Sequence, residues 1–314
     1  MTDFLAQAID LAERGRGTTH PNPVVGAVVV REGEVVGEGW HERKGGPHAE
    51  IVALEAAGEQ ARGSTLYLTM EPCSHHGSTP PCTEAVLAAG VGRVVAASLD
   101  QNPEAGGGLE WLGEAGVEVE HADRFEARAQ NEAWRTWIAQ HRPFVTYKAA
   151  MTLDGRLTIP GERWISGEPS RRLVHELRAA SDAVAVGMGT VHADAPKLDA
   201  RDVEAPRQPR RLAFGRAPLP SGSELELRSG PIRQELAALA AQGVQSLLLE
   251  GGPRLAASFL RESSLDKLLV FVAPKLSGDG PRLFEGEIPS VSLARLTAAS
   301  VGEDVLLSAY VNEP

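Results

Sequence analysis

The sequence predicts an α/β protein of two layered domains, and three observations carry that reading. Short aliphatic, β-branched runs alternate with amphipathic helical stretches along nearly the whole chain, the order that builds sheets covered by helices. The cycle starts afresh after HRP at 141–143, and 314 residues exceed the usual size of one domain. Hydrophobic residues make up 42% and charged residues 23%, the composition of an ordinary globular chain.

In the first half, residues 2–16 fit a helix with Phe4, Leu5, Ala8, Ile9 and Leu11 on one face. VVGAVVV (24–30) and EVVGEGW (34–40) are β-branched runs whose short join, Arg31–Gly33, makes them a hairpin. A helix starts near His48 and runs through AEIVALEAA. STLYLTM (64–70) reads as a buried strand, TEAVLAAG (83–90) as a helix closed by Gly90, and GRVVAASL (92–99) as a strand. EWLGEAG (110–116) and VEVE (117–120) repeat helix then strand, and residues 123–140 form one last helix. A mixed sheet is expected.

The second half opens with PFVTYKAAM (143–151) as a strand and LDGR as a turn. A helix at 168–180 and a strand at 182–187, ending in GMGT, follow. RRLAF (210–214) is a short strand inside a Pro-, Gly- and Arg-rich stretch, 201–229, otherwise expected as surface loops; SELELRS (223–229) makes a poor strand. GPIRQELAALAAQG (230–243) is a helix with Pro near its start and Gly past its end. VQSLLLEGG (244–252) is a strand running into a glycine pair, and PRLAASFL opens a helix. DKLLVFVAP (266–274) and DVLLSAYV (304–311) close the set of strands. The predicted domains are 1–142 and 143–314.

A net charge of −11 and a pI of about 5.4 offer no basic field to a nucleic-acid backbone. No apolar run approaches the ~20 residues that span a bilayer, and the amphipathic N-terminus is not a signal peptide. A cytoplasmic enzyme acting on a small molecule is expected, without nucleic-acid or membrane partners.

The two cysteines of the chain fall within twelve residues, EPCSHHGSTPPC (71–82). In a reducing compartment, close-set cysteines beside histidine point to metal or chemistry rather than a disulfide. PHAE (47–50) lies upstream. His, Glu two places on, then Pro-Cys and a further Cys is the ligand order of zinc-dependent deaminases. His48, Cys73 and Cys82 are the three expected ligands, leaving the fourth tetrahedral position to water. Glu50 is the expected base, taking a proton from water and returning it to the leaving amine. Residues two apart on a helix diverge by ~200°, so His48 must sit at the helix start for both to face one water. Cys82 follows two prolines and opens a helix, where the positive helix end favours its thiolate. A closed site with His75 or His76 as fourth ligand is the alternative; otherwise these two wall the pocket. Asn22 stands at a strand entrance, placed either to reach a base edge or to make an Asx-turn. In the second half, Gly251–Gly252 let backbone approach a phosphate at a helix start. GMGTVH (187–192) is not a GxGxxG fingerprint.

Taken together, HPNPVVGAVVV (20–30), GWHERKGGPHAE (39–50), TMEPCSHHGSTPPC (69–82), KAAMTLDGR (148–156), WISG (164–167) and LEGGPRLA (249–256) resemble the bifunctional riboflavin-biosynthesis deaminase/reductases. They do so in order over nearly the whole chain. The resemblance implies a three-layer, cytidine-deaminase-like N-terminal domain and a dihydrofolate-reductase-like C-terminal domain. It implies zinc-dependent deamination of a diamino-ribosylamino-pyrimidinone 5′-phosphate, then NADPH reduction of ribosyl to ribityl, in a homo-oligomer. Carried over position by position, it assigns NADPH to Ala150, Trp164, Thr190 and Asp194, and to Gly252, Pro253, Arg254, Leu255, Ala256, Ala257 and Ser258. It assigns the pyrimidine substrate to Arg178, Leu198, Arg201 and Glu250, where guanidinium groups suit a phosphate. The chain departs from that pattern at Ser78, where a basic residue is usual. It departs again after RRLAF, where an acidic residue is usual, and between Arg201 and Gln245, where it is short. Two other readings stand beside this one: a deaminase of another base with a non-catalytic C-terminal domain, and a zinc-stabilised binding module.

Overall fold

The computed structural model describes residues 2–76 and 80–314, and the chain divides into two compact units, one ending at Ala139 and including Pro314, the other Gln140–Glu313. No described helix is long and apolar enough to cross a membrane.

The first unit runs α1 (Phe4–Glu13), β1 (Gly26–Arg31), β2 (Glu34–Trp40), α2 (Ala49–Ala57), β3 (Thr65–Leu68), α3 (Cys82–Ala89), β4 (Arg93–Ala96), α4 (Gly108–Glu114), β5 (Glu118–His121), α5 (Phe125–Gln130) and α6 (Glu132–Gln140). Its sheet has the order β2-β1-β3-β4-β5, antiparallel across β2, β1 and β3 and parallel from β3 to β5. The two-residue turn Glu32–Gly33 has φ of 54° and 86°, the left-handed pair a tight hairpin requires. Side chains alternate along β1. Ala27 and Val29 pack under α2, α3 and α4 with Ala53, Val86 and Leu109, while Val28 and Val30 face Ala8 and Leu11 of α1. Both faces are therefore covered, giving three layers.

Residues 123–140 are not one helix. Asn131 breaks them, and its side chain leaves the helix to accept from the Val24 amide and donate to the Val24 carbonyl, each at 2.9 Å. An amide that satisfies two buried backbone groups elsewhere outweighs one more helical hydrogen bond.

The second unit runs β6 (Phe144–Thr152), α7 (Glu168–Ala180), β7 (Ala183–Gly187), α8 (Met188–Asp194), β8 (Arg210–Phe214), β9 (Glu226–Arg228), α9 (Ile232–Ala241), β10 (Ser246–Leu249), α10 (Pro253–Arg261), β11 (Lys267–Ala273), β12 (Ala294–Val301) and β13 (Asp304–Tyr310). The sheet order is β12-β13-β11-β6-β10-β7-β8-β9, parallel from β11 through β9, with β13 and β12 antiparallel at one edge. Val145, Tyr147, Leu247 and Leu249 pack with Leu236 and Phe259 on one face, and Val184, Val186 and Leu248 with Met188 and Leu198 on the other.

β7 ends at Gly187, the first residue of GMGT, as expected, and Gly187 also caps α8, a helix too short to show a period. Two points of the expected element order need correction. The stretch 201–229 holds β9 as well as β8, and β9 is short, charged and at an edge, which hides it from pattern reading. β12 went unpredicted because it is exposed on both faces and carries no alternation.

Candidate functional site

In the first unit, the residues that follow β3 and β4 and those that open α2 surround a cavity of about 410 Å³. His48 is the N-cap of α2, in extended backbone, and Glu50 lies in the first turn. The cap position swings the imidazole off the helix surface, so both side chains reach one spot. Cys82 opens α3, and its amide donates to Cys73 Sγ at 3.3 Å. His48 Nδ1 is 3.2 Å from Cys82 Sγ and 3.7 Å from Cys73 Sγ, and all three atoms lie within 4.8 Å of one another. Zn–S of about 2.3 Å and Zn–N of about 2.0–2.1 Å at tetrahedral angles put sulfur roughly 3.6 Å from nitrogen, so the donor set fits Zn²⁺. His75 lines the cavity and exposed His76 stands 3.5 Å from Glu84; neither joins the cluster. The four-ligand closed site therefore lacks support.

The electrostatics agree with a cation site. Cys73 is pulled down to about 4, chiefly by the hydrogen bond from Cys82 and also by His48. Contact with Cys73 and burial push Cys82 up. A dication would hold both sulfurs as thiolates, displacing their protons. Hydrogen bonding to Cys73 raises His48. Glu50 is buried, and loss of solvent raises its carboxyl.

The frame is rigid. A Cβ on Gly39 would lie 2.5 Å from the Ala49 carbonyl oxygen and one on Gly37 2.3 Å from that of Ala53, so only glycine lets α2 lie against β2. Sequence reasoning missed Glu71. It is buried, and its carboxylate accepts the amides of Asp100 at 2.9 Å and Leu109 at 3.2 Å, tying the Cys73 loop to the end of β4 and the start of α4. Its signal is the acid beside Pro-Cys in EPCSHHGSTPPC. His41 is buried, and loss of solvent lowers its pKa. His41 Nδ1 meets the Pro47 carbonyl at 2.9 Å, and a carbonyl only accepts, so the proton sits on Nδ1. Nε2 then accepts from Asn22 Nδ2 at 3.3 Å, which leaves the Asn22 carboxamide oxygen for a ligand. Asp100, also on the cavity, is pushed up to about 6 by burial beside Glu71 and Cys73. Trp134, Trp137 and Ile138 of α6 supply an apolar wall. Ser78 lies outside the described residues.

In the second unit, Gly252 caps α10 at the carboxyl end of β10, beside the β7–α8 turn. A Cβ on Gly251 would meet Leu255 at 2.8 Å and the Gly187 amide nitrogen at 3.4 Å; one on Gly252 would meet only Thr190 Oγ1, at 3.7 Å. Thr190 and the start of α10 thus share one cradle, open where a side chain would fill it, and this fits a dinucleotide phosphate. Pro253, Arg254, Leu255 and Ser258 lie on α10, whereas Ala256 and Ala257 are wholly buried, so their side chains are closed to a ligand. Asp194 ends α8 and Ala150 sits on β6. Trp164 is exposed between Arg163 and Arg171, which lie 4.9 and 5.4 Å over its ring.

Glu250 accepts from Arg178 Nε at 2.5 Å and from its terminal nitrogen at 2.9 Å, and Lys148 Nζ approaches to 3.8 Å. Burial works to raise Glu250, but Arg178 and Lys148 overcome it and hold the carboxylate below its ordinary value. Burial lowers Lys148, which sequence reasoning also missed. The third guanidinium arm of Arg178 donates to the Asp199 carbonyl at 3.1 Å. Arg201 is exposed and pairs with Asp199 at 2.6 Å, while Leu198 is buried in the core and offers only backbone.

A family model of the cytidine and deoxycytidylate deaminase zinc-binding region matches residues 1–98, and a RibD C-terminal domain model matches 143–307. The riboflavin biosynthesis protein RibD of Aquifex aeolicus is 41% identical over 97% of both chains, and that of Escherichia coli 39% over 89% of both. Acinetobacter baumannii RibD superimposes with a TM-score of 0.84 at 34% identity, covering 98% of this chain and 97% of that one. A diaminohydroxyphosphoribosylaminopyrimidine deaminase/5-amino-6-(5-phosphoribosylamino)uracil reductase from Thermotoga maritima gives a TM-score of 0.82 at 33% identity over the same shares.

Proposed function

We infer the chemistry of each unit from the premise that this chain belongs to the RibD family: it is a bifunctional deaminase and reductase of riboflavin biosynthesis. Its fold joins a cytidine-deaminase-like domain to a dihydrofolate-reductase-like one, and its cofactors are zinc and NADPH. The substrate we propose is the 2,5-diamino-6-ribosylamino-4(3H)-pyrimidinone 5′-phosphate, deaminated by domain 1–142 and reduced by domain 143–314. The observation that carries this reading is the three-donor cluster with Glu50 buried beside it in one cavity.

His48, Cys73 and Cys82 would hold the metal, whose Lewis acidity makes water a nucleophile near neutral pH. Glu50 takes the proton of the attacking water and carries it to the departing amine. Burial, which raises its carboxyl, suits a group that must hold that proton between the two transfers. Asn22, oriented by His41, accepts from the base edge.

In the second unit, Thr190, Asp194, Ala150, Trp164 and residues 252–258 would hold NADPH, which supplies the hydride. Ribosyl-to-ribityl reduction breaks the bond between C1′ and the ring oxygen, hydride adding at C1′ and a proton at the freed oxygen. Lys148, buried and with a lowered pKa, is placed to give that proton, and Glu250 with Arg178 fixes its position. Arg201 takes the phosphate, and Leu198 contributes backbone. We place the enzyme in the cytoplasm as a homo-oligomer.

Incubation with the diamino-pyrimidinone phosphate, with and without NADPH, tests this. Ammonia appears in both, and the ribityl product only with NADPH. Absence of ammonia, or NADPH oxidation without ribityl product, contradicts it.

A further inference from the structure

The segment between α8 and β8 has no regular secondary structure, yet three of its non-glycine residues, Ala195, Leu198 and Asp202, have φ of 42°, 57° and 62°. Left-handed backbone at residues with a Cβ persists only where the surroundings hold it. Ala200 is buried there, so its peptide N–H and C=O need partners away from water. Gln208 supplies both. Its Oε1 accepts the Ala200 amide at 2.9 Å and its Nε2 donates to the Ala200 carbonyl at 2.8 Å. Gln208 is rooted on the sheet: Pro209 follows it, and the Arg210 amide donates to the Asp182 carbonyl at 2.9 Å. On the other side, Arg178 donates to the Asp199 carbonyl. The strained loop is thus fastened at adjacent residues, at Asp199 by the guanidinium that holds Glu250, and at Ala200 by Gln208.

We propose that Gln208 is a positioning residue for the reductase: by latching both peptide groups of Ala200 it fixes the loop that presents Leu198 and Arg201 to the pyrimidine ribosyl phosphate. This rests on the reading of Leu198 and Arg201 as substrate contacts. The first unit uses the same device, Asn131 on both peptide groups of Val24, two residues from Asn22.

The test is Gln208→Leu in the full chain. KM for the deaminated substrate rises about tenfold or more, since small misplacements of a binding group are costly. kcat falls by less than about threefold, because a contact that binds ground state and transition state alike changes KM and not kcat; ammonia release is unchanged, and the Ala200 amide exchanges faster with solvent. Glycine accepts left-handed backbone freely, so adding Asp202→Gly brings the raised KM part of the way back down. An unchanged KM, or KM and kcat worsening together, overturns the proposal. Should Gln208→Leu fail to fold, Gln208→Glu keeps the acceptor but sets an oxygen against the Ala200 carbonyl, and it must raise KM in the same way. In the unaltered chain the Ala200 amide must be protected; exchange at the rate of an open loop overturns the latch by itself. Arg201→Ala separates the two layers. If it leaves KM unchanged while Gln208→Leu still exposes the Ala200 amide, the latch exists but its purpose in substrate binding is refuted.

Discussion

The first unit gathers side chains, whereas the second gathers backbone turns around one buried ion-pair network. In the first, imidazole, two thiols and a carboxylate come from helix starts and one loop, and three donor atoms fall within 4.8 Å. In the second, the cradle is made by Gly187, Gly251 and Gly252, and the charged centre is Arg178, Glu250 and Lys148. The first site takes its chemistry from what its residues are. The second takes it from where the chain turns, and from a buried carboxylate held between two cationic side chains. The two should therefore fail separately and in different ways.

The sharpest break is Glu50→Gln. Ammonia release falls by about 10²–10⁴, the usual worth of a positioned acid–base group. Zinc content by metal analysis and the reduction of pre-deaminated substrate stay as they were. Loss of zinc together with activity would mean that Glu50 holds the fold rather than moves a proton.

Glu250→Gln attacks the other side of the comparison. It leaves Arg178 and Lys148 buried beside a neutral amide, and removing one partner of a buried pair costs about 3–5 kcal/mol. Reduction is lost, thermal unfolding of the second unit comes earlier, and ammonia release survives.

Gly39→Ala tests the frame of the first site. The added methyl would stand 2.5 Å from the Ala49 carbonyl oxygen, so α2 must move and take His48 and Glu50 with it. Overpacking of this kind costs about 1–3 kcal/mol. Zinc affinity and deamination fall while reduction is unchanged, by chelator titration and ammonia assay.

The smallest effect concerns pH. Asp182 is buried, which works to raise its pKa, but Arg207 and the amides of Gln245 and Ser246 hold it below the ordinary carboxylate value. A carboxylate with a lowered folded pKa stabilises fully above its unfolded pKa of about 3.9 and loses that contribution as pH falls through the folded value. Asp182→Asn is therefore less stable at pH 7 by about 1–3 kcal/mol, and the gap closes below pH of about 4. Denaturant midpoints at pH 7 and pH 3 measure it.

What the sequence revealed follows the same division. Cys73, Cys82, His48 and Glu50 were legible because their chemistry is rare and their spacing restrictive. The sheet strands were legible wherever one face alternated or both were apolar, as in β1 and β10. Lys148 and Gln208 were not, because an isolated lysine in a strand and a glutamine before proline carry no period or motif. Their meaning arises when β6 is brought beside β10, and when the return loop lies along Ala200. α8 and β9 escaped because seven and three residues are too few to show a pattern.

X-ray absorption at the zinc edge of the full-length protein tests the central claim most directly. The geometry predicts two sulfur scatterers near 2.3 Å, one imidazole nitrogen near 2.0–2.1 Å and one light atom from solvent. A second imidazole in the shell, or a protein that binds no zinc because Cys73 and Cys82 are joined to each other, would contradict it.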